Sequence, residues 1–204
     1  TVLLSNQEIL TTNTFSSGFN SDNFQQDIIY SLIIDIDGSV NLNSYEGSGY
    51  IIDIQNRPGR VGFPEVIESK IGNPRLVKFR EIETDRLLQV KGWDLKLGNQ
   101  TFWNLYVMSF GSNINLNNLN LINTEIIGTG DINMGKNLNS GDIFISGNFN
   151  IYVDTSLPIV VIGSAEVPAG WIDATIGYLN QTNENYKFKV IVEEGSNVVF
   201  QNGE

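Results

Sequence analysis

The chain has 204 residues, 41% of them apolar and 17% charged, which is enough to bury a core in one or two β units and is unlike a disordered segment. It holds neither His nor Cys, which excludes Cys/His zinc sites, Ser-His-Asp triads, Cys-His dyads and disulfides together. The net charge of −11 is uneven, with seven acids and no basic residue in 1–56, nine basic and six acidic residues in 57–96, and three basic and ten acidic in 97–204; this basic island in an acidic chain argues against nucleic-acid binding.

Residues 1–26 are rich in Ser, Thr, Asn and Gln and read as a short opening strand at Val2-Leu3-Leu4 followed by a loop. From Asp27 the alternation sharpens, and 27–56 predicts three strands separated by turns at Asp37-Gly38 and Gly47-Ser48-Gly49. Arg57-Pro58-Gly59-Arg60 breaks that pattern. Pro64 and Pro74 keep 61–75 from being a central strand, because proline brings no N–H to a ladder. Strand character resumes at 76–90, where Val77, Phe79, Glu81, Glu83 and Asp85 share one parity. Trp93, Leu95 and Leu97 then alternate, Gly98-Asn99 predicts a turn, and 102–110 a further strand.

The stretch from Gly111 to Val153 organises the chain. A unit of Gly, a small polar residue and alternating apolar and mostly Asn positions recurs at Gly111-Ser112-Asn113-Ile114-Asn115-Leu116, Gly130-Asp131-Ile132-Asn133-Met134, Gly141-Asp142-Ile143-Phe144-Ile145 and Gly147-Asn148-Phe149-Asn150-Ile151. An earlier copy stands at Gly38-Ser39-Val40-Asn41-Leu42 and a shorter one begins at Gly195. Side chains alternate across a strand, so each copy has an apolar and a polar row, and copies gain stability only by stacking on neighbours. Gly111, Gly130 and Gly147 lie 19 and 17 residues apart, a loose rung spacing. The many Asn residues are poor strand formers; they predict either stacked amide ladders between rungs or turn positions with φ > 0. Beyond Val153, 157–162 predicts a buried strand, Pro168-Ala169-Gly170-Trp171 a turn into a packed indole, and 186–192 and 197–200 the last two strands. No amphipathic helix and no span of bilayer length is visible. The expectation is an all-β chain of stacked β-sheets or a β-solenoid with little or no helix. Its N-terminal region is 1–92, with an interrupted basic segment at 57–92, continuous with a repeat-built region at 93–204.

From Trp93 on, the order of features resembles the bacterial toast-rack and LiaF-like cell-envelope domains. The matching pieces are Trp93-Asp94-Leu95-Lys96-Leu97, Gly111 with Ile114-Asn115-Leu116, Leu119-Asn120-Leu121, the turns at Ile127-Gly128 and Gly130-Asp131-Ile132, Gly147-Asn148-Phe149-Asn150-Ile151-Tyr152-Val153 leading to Leu157-Pro158-Ile159, and the strand pair closing on Gly195. They cover about half the chain, and the first half matches more loosely through 31–53 and Pro64-Glu65-Val66. The resemblance implies stacked β-sheets or a solenoid at the bacterial envelope or outside the cell, with a link to envelope-stress signalling. It supplies no catalytic residues. The chain begins at Thr1 rather than Met, which suggests a processed or truncated chain from which a signal peptide or anchor could have been removed upstream.

Four sets of residues are candidate sites. Asp35, Asp37, Ser39, Asn41, Asn43 and Glu46 fall at positions 1, 3, 5, 7, 9 and 12 of a calcium-loop pattern, but Val40 stands where that loop needs Gly, and a solvated strand face is the default. Glu81, Glu83 and Asp85 form an acidic row of the kind that polysaccharide-cleaving solenoids use; Arg80 and Arg86 beside them suggest simple ion partners instead. The basic residues Arg57, Arg60, Lys70, Arg75, Lys78 and Arg80 suit anionic lipid headgroups or an anionic envelope polymer, against the simpler reading of a solvated loop. Among Trp93, Phe102, Trp103, Tyr106 and Trp171, adjacent Phe102 and Trp103 must face opposite sides, and Trp103 is the candidate sugar-stacking aromatic against a core reading. No cofactor is expected.

The leading expectation is therefore a non-enzymatic, envelope-associated or exported binding or scaffolding domain. Its partner would be an envelope polymer, lipid headgroups or another envelope protein. The alternatives are a carbohydrate-binding or polysaccharide-cleaving solenoid, and an adhesin or assembly subunit using an open sheet edge.

Overall fold

The computed structural model describes residues 12–17, 28–61, 63–69, 71–82, 90–162, 171–174, 177–180, 187–193 and 195–201; of the side chains at 12–17, 54–61, 63–64, 81–82, 90–91, 171–174 and 177–180 nothing is described. The described strands are β1 (Thr12–Ser17), β2 (Ile29–Asp35), β3 (Ser39–Tyr45), β4 (Tyr50–Val61), β5 (Phe63–Glu68), β6 (Arg75–Ile82), β7 (Val90–Gly98), β8 (Phe102–Asn115), β9 (Asn120–Met134), β10 (Ile143–Asp154), β11 (Ile159–Ile162), β12 (Trp171–Ala174), β13 (Gly177–Asn180), β14 (Phe188–Val192) and β15 (Asn197–Gln201). No helix occurs among the described residues, so none there is long and apolar enough to cross a membrane.

The strands stack as parallel coils. The long strands β8, β9 and β10 lie side by side, with Leu105 opposite Thr124 and Thr124 opposite Ile143. Each bends midway into two arms. In the first arm the spatial order is β6, β2, then the leading halves of β8, β9 and β10, then β14 and β11, all parallel. In the second arm it is β7, β3, the trailing halves of β8, β9 and β10, then β15. Antiparallel strands flank this stack: β5 pairs β6, β4 pairs β7, β1 pairs β4, and β13 pairs both β11 and β12. Backbone bonds also cross the turns between coils, such as Asn118 N to Lys136 O at 3.1 Å and Leu121 N to Asn139 O at 2.8 Å.

Strand alternation converts this register into columns of like residues. Phe79, Ile34, Val107, Ile126, Ile145 and Val192 form one buried column in the first arm. Leu95, Leu42, Ile114, Ile132, Ile151 and Val198 form its counterpart in the second. Both belong to one continuous hydrophobic core. Burying each such aliphatic side chain contributes roughly 1.5–3 kcal/mol relative to leaving it in water.

The bend between arms depends on glycine. A Cβ on Gly128, whose φ is +133°, would lie 1.8 Å from Ser109 O, and one on Gly147, with φ +118°, 2.0 Å from Gly128 O. Backbone of successive coils therefore touches where any side chain would stand. The stacked pair is Gly128 and Gly147, whereas Gly130 lies opposite Phe149, so the spacing expected from Gly111, Gly130 and Gly147 is corrected. The ladders place Thr124, Gly128 and Asp131 opposite Ile143, Gly147 and Asn150, a constant 19-residue offset. In β8 the bend carries an irregularity between Ser109 and Ser112, whose hydroxyls lie 2.6 Å apart.

Both expectations for asparagine hold, at different places. Asn118 and Asn137 adopt φ of 60° and 59° in successive turns, and Asn137 Nδ2 donates to Asn118 Oδ1 at 3.0 Å. Asn139 donates to Asn120 at 3.2 Å, Asn123 to Asn104 at 3.1 Å and Asn150 to Asp131 at 3.0 Å. Arg57-Pro58-Gly59-Arg60 does not end a strand, as its sequence suggested. It lies within β4, where Asn56 and Val61 both oppose Val90 across a register shift that absorbs the proline and glycine. Pro64 stands in β5, which pairs β6 alone among the described strands, as its missing N–H requires.

Candidate functional site

The outer side of the first arm carries an open trough of about 590 Å³. Its floor is a row of short polar side chains, Ser31, Asn104 and Asn123, with Asp142 at its end. Beside it runs a row two residues further along each strand, Ile33, Tyr106, Glu125 and Phe144, and the difference in side-chain length between the rows forms the wall. Neighbouring strands are about 4.8 Å apart, and the two rows are separated by about 6.6 Å along the strands.

The floor is ordered by its own hydrogen bonds. Asn123 Nδ2 donates to Asn104 Oδ1 at 3.1 Å, and Asn104 Nδ2 donates to Ser31 Oγ at 3.2 Å. An amide has two N–H donors and a carbonyl with two lone pairs, so each Asn keeps bonding capacity beyond the ladder. Asp142 Oδ1 accepts the Lys189 backbone N–H at 2.9 Å, which ties the floor to the next coil. Glu125 and Asp142 are exposed, while Tyr106 and Phe144 are half-buried, each presenting part of its ring. Below the floor Thr124 lies in the core column between Leu105 and Ile143, its buried Oγ1 lacking a hydrogen-bond partner.

The residues singled out from sequence are distributed differently. Trp103 is not a surface aromatic. It is 0% exposed, its Nε1 donates to Gly98 O at 3.1 Å and its ring sits 5.9 Å from that of Tyr30, while Phe102 is the exposed member of the pair at 37%. Trp93 is also buried, and the side chain of Trp171 lies outside the described residues. Of the basic island, Arg57 and Arg60 belong to β4, with side chains outside the description, and Lys70 lies outside the described residues. Arg75 has the parity of the buried Val77 and Phe79, so it points away from Lys78 and Arg80 on the same strand. Arg80 Nη2 pairs with Glu65 Oε2 at 2.6 Å.

Of the acidic row, Glu81 lies in β6 with its side chain outside the description, and Glu83 and Asp85 lie outside the described residues. The calcium-loop spacing does not fold into a loop. Asp35 ends β2, Asp37 lies between strands, and 39–45 run extended as β3, which spreads Ser39, Asn41 and Asn43 along one face. Asn41 Nδ2 donates to Asp94 Oδ1 at 3.0 Å, and Glu46 lies beyond the strand end. No group of three or more acidic side chains able to hold a metal occurs among the described residues. Tyr45, whose hydroxyl donates to Ser48 O, has its phenol pKa pushed up by burial.

The trough residues were not singled out as a set, although a 19-residue step joins them: 104 to 123 to 142, and 106 to 125 to 144. The glycines set a different and misleading spacing, and following the polar positions between apolar ones would have aligned the rows.

No protein-family model matches the sequence, and neither does any curated protein. The fold is shared with a solved structure from Clostridium sporogenes ATCC 15579, provisionally described as a cell adhesion protein, at a TM-score of 0.65 and 13% identity over 94% of this chain and 100% of that one. A structure from Parabacteroides merdae ATCC 43184, provisionally described as an adhesin, aligns over 97% of this chain and 93% of that one at 13% identity, with a TM-score of 0.27.

Proposed function

We propose that this chain is a non-enzymatic binding or scaffolding module of adhesive type, displayed at a bacterial cell surface. One observation carries the reading: along the first arm the coils stack at a common 19-residue offset, from Asn104 opposite Asn123 to Ile145 opposite Ile126, so that their outer side becomes a repeated array of amides, acids and aromatics ordered by its own hydrogen bonds before any partner arrives. The fold shared with the Clostridium protein supports adhesion rather than another use of such an array. The toast-rack and LiaF-like resemblance from Trp93 to the strand pair closing on Gly195 supports an envelope location and leaves envelope-stress sensing as a narrower form of the same role. The lack of His and Cys supports binding without turnover, because it removes the commonest general base and a common nucleophile.

The test uses beads coated with the purified chain, washed over epithelial monolayers and over isolated bacterial cell walls, with an inert all-β protein as control. Retention above control on either surface, with no shortening of soluble polysaccharides, is the expected result. Loss of retention on both surfaces overturns the binding role, and release of reducing ends from a polysaccharide overturns the non-enzymatic one.

A further inference from the structure

We propose that the trough on the first arm binds an extended neutral glycan lying along the axis of the solenoid, across the strands. The proposal rests on the binding reading above and names the class of ligand. Its first support is spacing. The floor side chains recur once per coil, at about 4.8 Å, which is close to the length of one pyranose unit in an extended chain. Asn104 and Asn123 thus meet successive sugar units with the same pair of groups. Their ladder fixes which way each amide points, so a hydroxyl-rich ligand finds donors and acceptors already oriented.

The second support is the wall. Tyr106 and Phe144 flank Glu125 two coils apart, each with ring surface open to the trough. Half-buried rings at this separation suit the apolar C–H faces of alternate sugar units, which lie flat against aromatic surfaces. The third support is charge. Glu125 and Asp142 stand exposed at the trough in a chain of net charge −11, so a uronic acid, sialic acid or phosphate-bearing polymer is repelled, whereas carboxylates accept hydrogen bonds from neutral sugar hydroxyls. The basic residues nearby do not reverse this: Arg80 is paired with Glu65, Lys78 lies on β6, on the far side of β2 from Tyr106, and Lys189, which follows Asp142 across the ladder to β14, offsets that one carboxylate and leaves Glu125 at the middle of the trough.

The experiment titrates the whole chain with cellohexaose, chitohexaose, mannohexaose and hexagalacturonate by calorimetry, and follows backbone amide shifts in the same titrations. At least one neutral hexaose is expected to bind, with shifts confined to 31–33, 104–106, 123–125 and 142–144, while hexagalacturonate gives none. Which neutral sugar binds separates a glucan, an N-acetylglucosamine polymer and a mannan as sources. Tyr106→Ala is expected to weaken the dissociation constant about tenfold, and Asn104→Ala to weaken it about fivefold. Asn150→Ala, which breaks the equivalent bond to Asp131 on the second arm, is expected to leave it unchanged. The amide shifts of the unmodified chain decide the matter even where a variant fails to fold. Shifts elsewhere, binding of hexagalacturonate at the trough, or no binding of any neutral hexaose overturns the proposal. If beads are still retained in that last case, the binding role stands and only the glycan assignment falls.

Discussion

β8 divides the stack into two differently built parts, with β9 and β10 on one side of it and β2 and β3 on the other. From Leu105 onward, β8, β9 and β10 follow one another in sequence order, and their interior is filled by aliphatic columns such as Val107–Ile126–Ile145 and Ile114–Ile132–Ile151. On the other side the order is broken: β2 and β3 lie between β8 and the later pair β6 and β7, and antiparallel β4 and β5 close the stack. There the core is aromatic. Tyr30, Tyr50, Phe79, Trp93 and Trp103 are all buried, Tyr50 meets Phe79 edge-on at 4.9 Å, and the Tyr50 hydroxyl reaches Glu68 Oε1 at 2.5 Å. A repeating stack is specified by what recurs, namely glycine at the bend and matching aliphatics. A layer inserted out of order has no such template and is specified instead by the individual shapes of large rings.

The comparison can be broken most severely at the bend. Gly128→Ala is expected to cost on the order of 5 kcal/mol, from a strained φ and a Cβ driven into Ser109 O, whereas Gly111→Ala, with φ +68° and open space around it, is expected to cost about 1 kcal/mol. Denaturant midpoints of the two variants measure the gap; equal losses would mean that close coil contact is not what the glycine provides. At the aromatic end, Trp103→Ala is expected to cost about 4 kcal/mol and to leave the Gly98 carbonyl with the Thr101 N–H at 3.3 Å in place of two donors. A loss below about 1 kcal/mol there would show that the rings fill space without specifying the inserted layer.

In the aliphatic stack a departure from the column pattern, Thr124, predicts a gain. Thr124→Val is expected to stabilise by about 1 kcal/mol and to raise Tm by about 2–4 °C in a thermal scan, because a buried hydroxyl without a partner is replaced by a methyl. A lower Tm would sink the account of that column. The smallest effect belongs to the flank: the Arg80–Glu65 pair has exposures of 60% and 38%, and Arg80→Ala is expected to change stability by less than about 0.5 kcal/mol.

The same contrast explains what was legible in the sequence. The strands around Asp37-Gly38 and Gly47-Ser48-Gly49, the alternation of Trp93, Leu95 and Leu97, and the repeat unit with its copy at Gly38 are local patterns, and the register that places Asn41 beside Asn113 agrees with them. Local patterns do not reveal which strand lies beside which, so the placement of β2 and β3 between β6–β7 and β8 was not readable. The same limit hid the trough, because its floor joins Ser31 to Asn104 across 73 residues. Trp103 was misjudged because alternation shows that Phe102 and Trp103 face opposite ways without showing which way is inward; the indole bond to Gly98 decides it.

The placement of β14 between β10 and β11 also governs the order of events in folding. β11 precedes β14 in the chain, yet it reaches β10 only through β14, so a gap one strand wide must persist until 188–192 enter it. The ladder from β8 to β9 closes loops of about 19 residues, and that from β2 to β8 loops of 73. The longer closure costs only about 1.2 kcal/mol more in chain entropy. Its larger effect is on rate, since distant pairings reward the chain only after that entropy is lost. Nucleation in β8–β10, with the two ends docking afterwards, is the sequence this topology favours, and refolding kinetics should slow with substitutions at Ile126 before they respond to those at Phe79 or Val190.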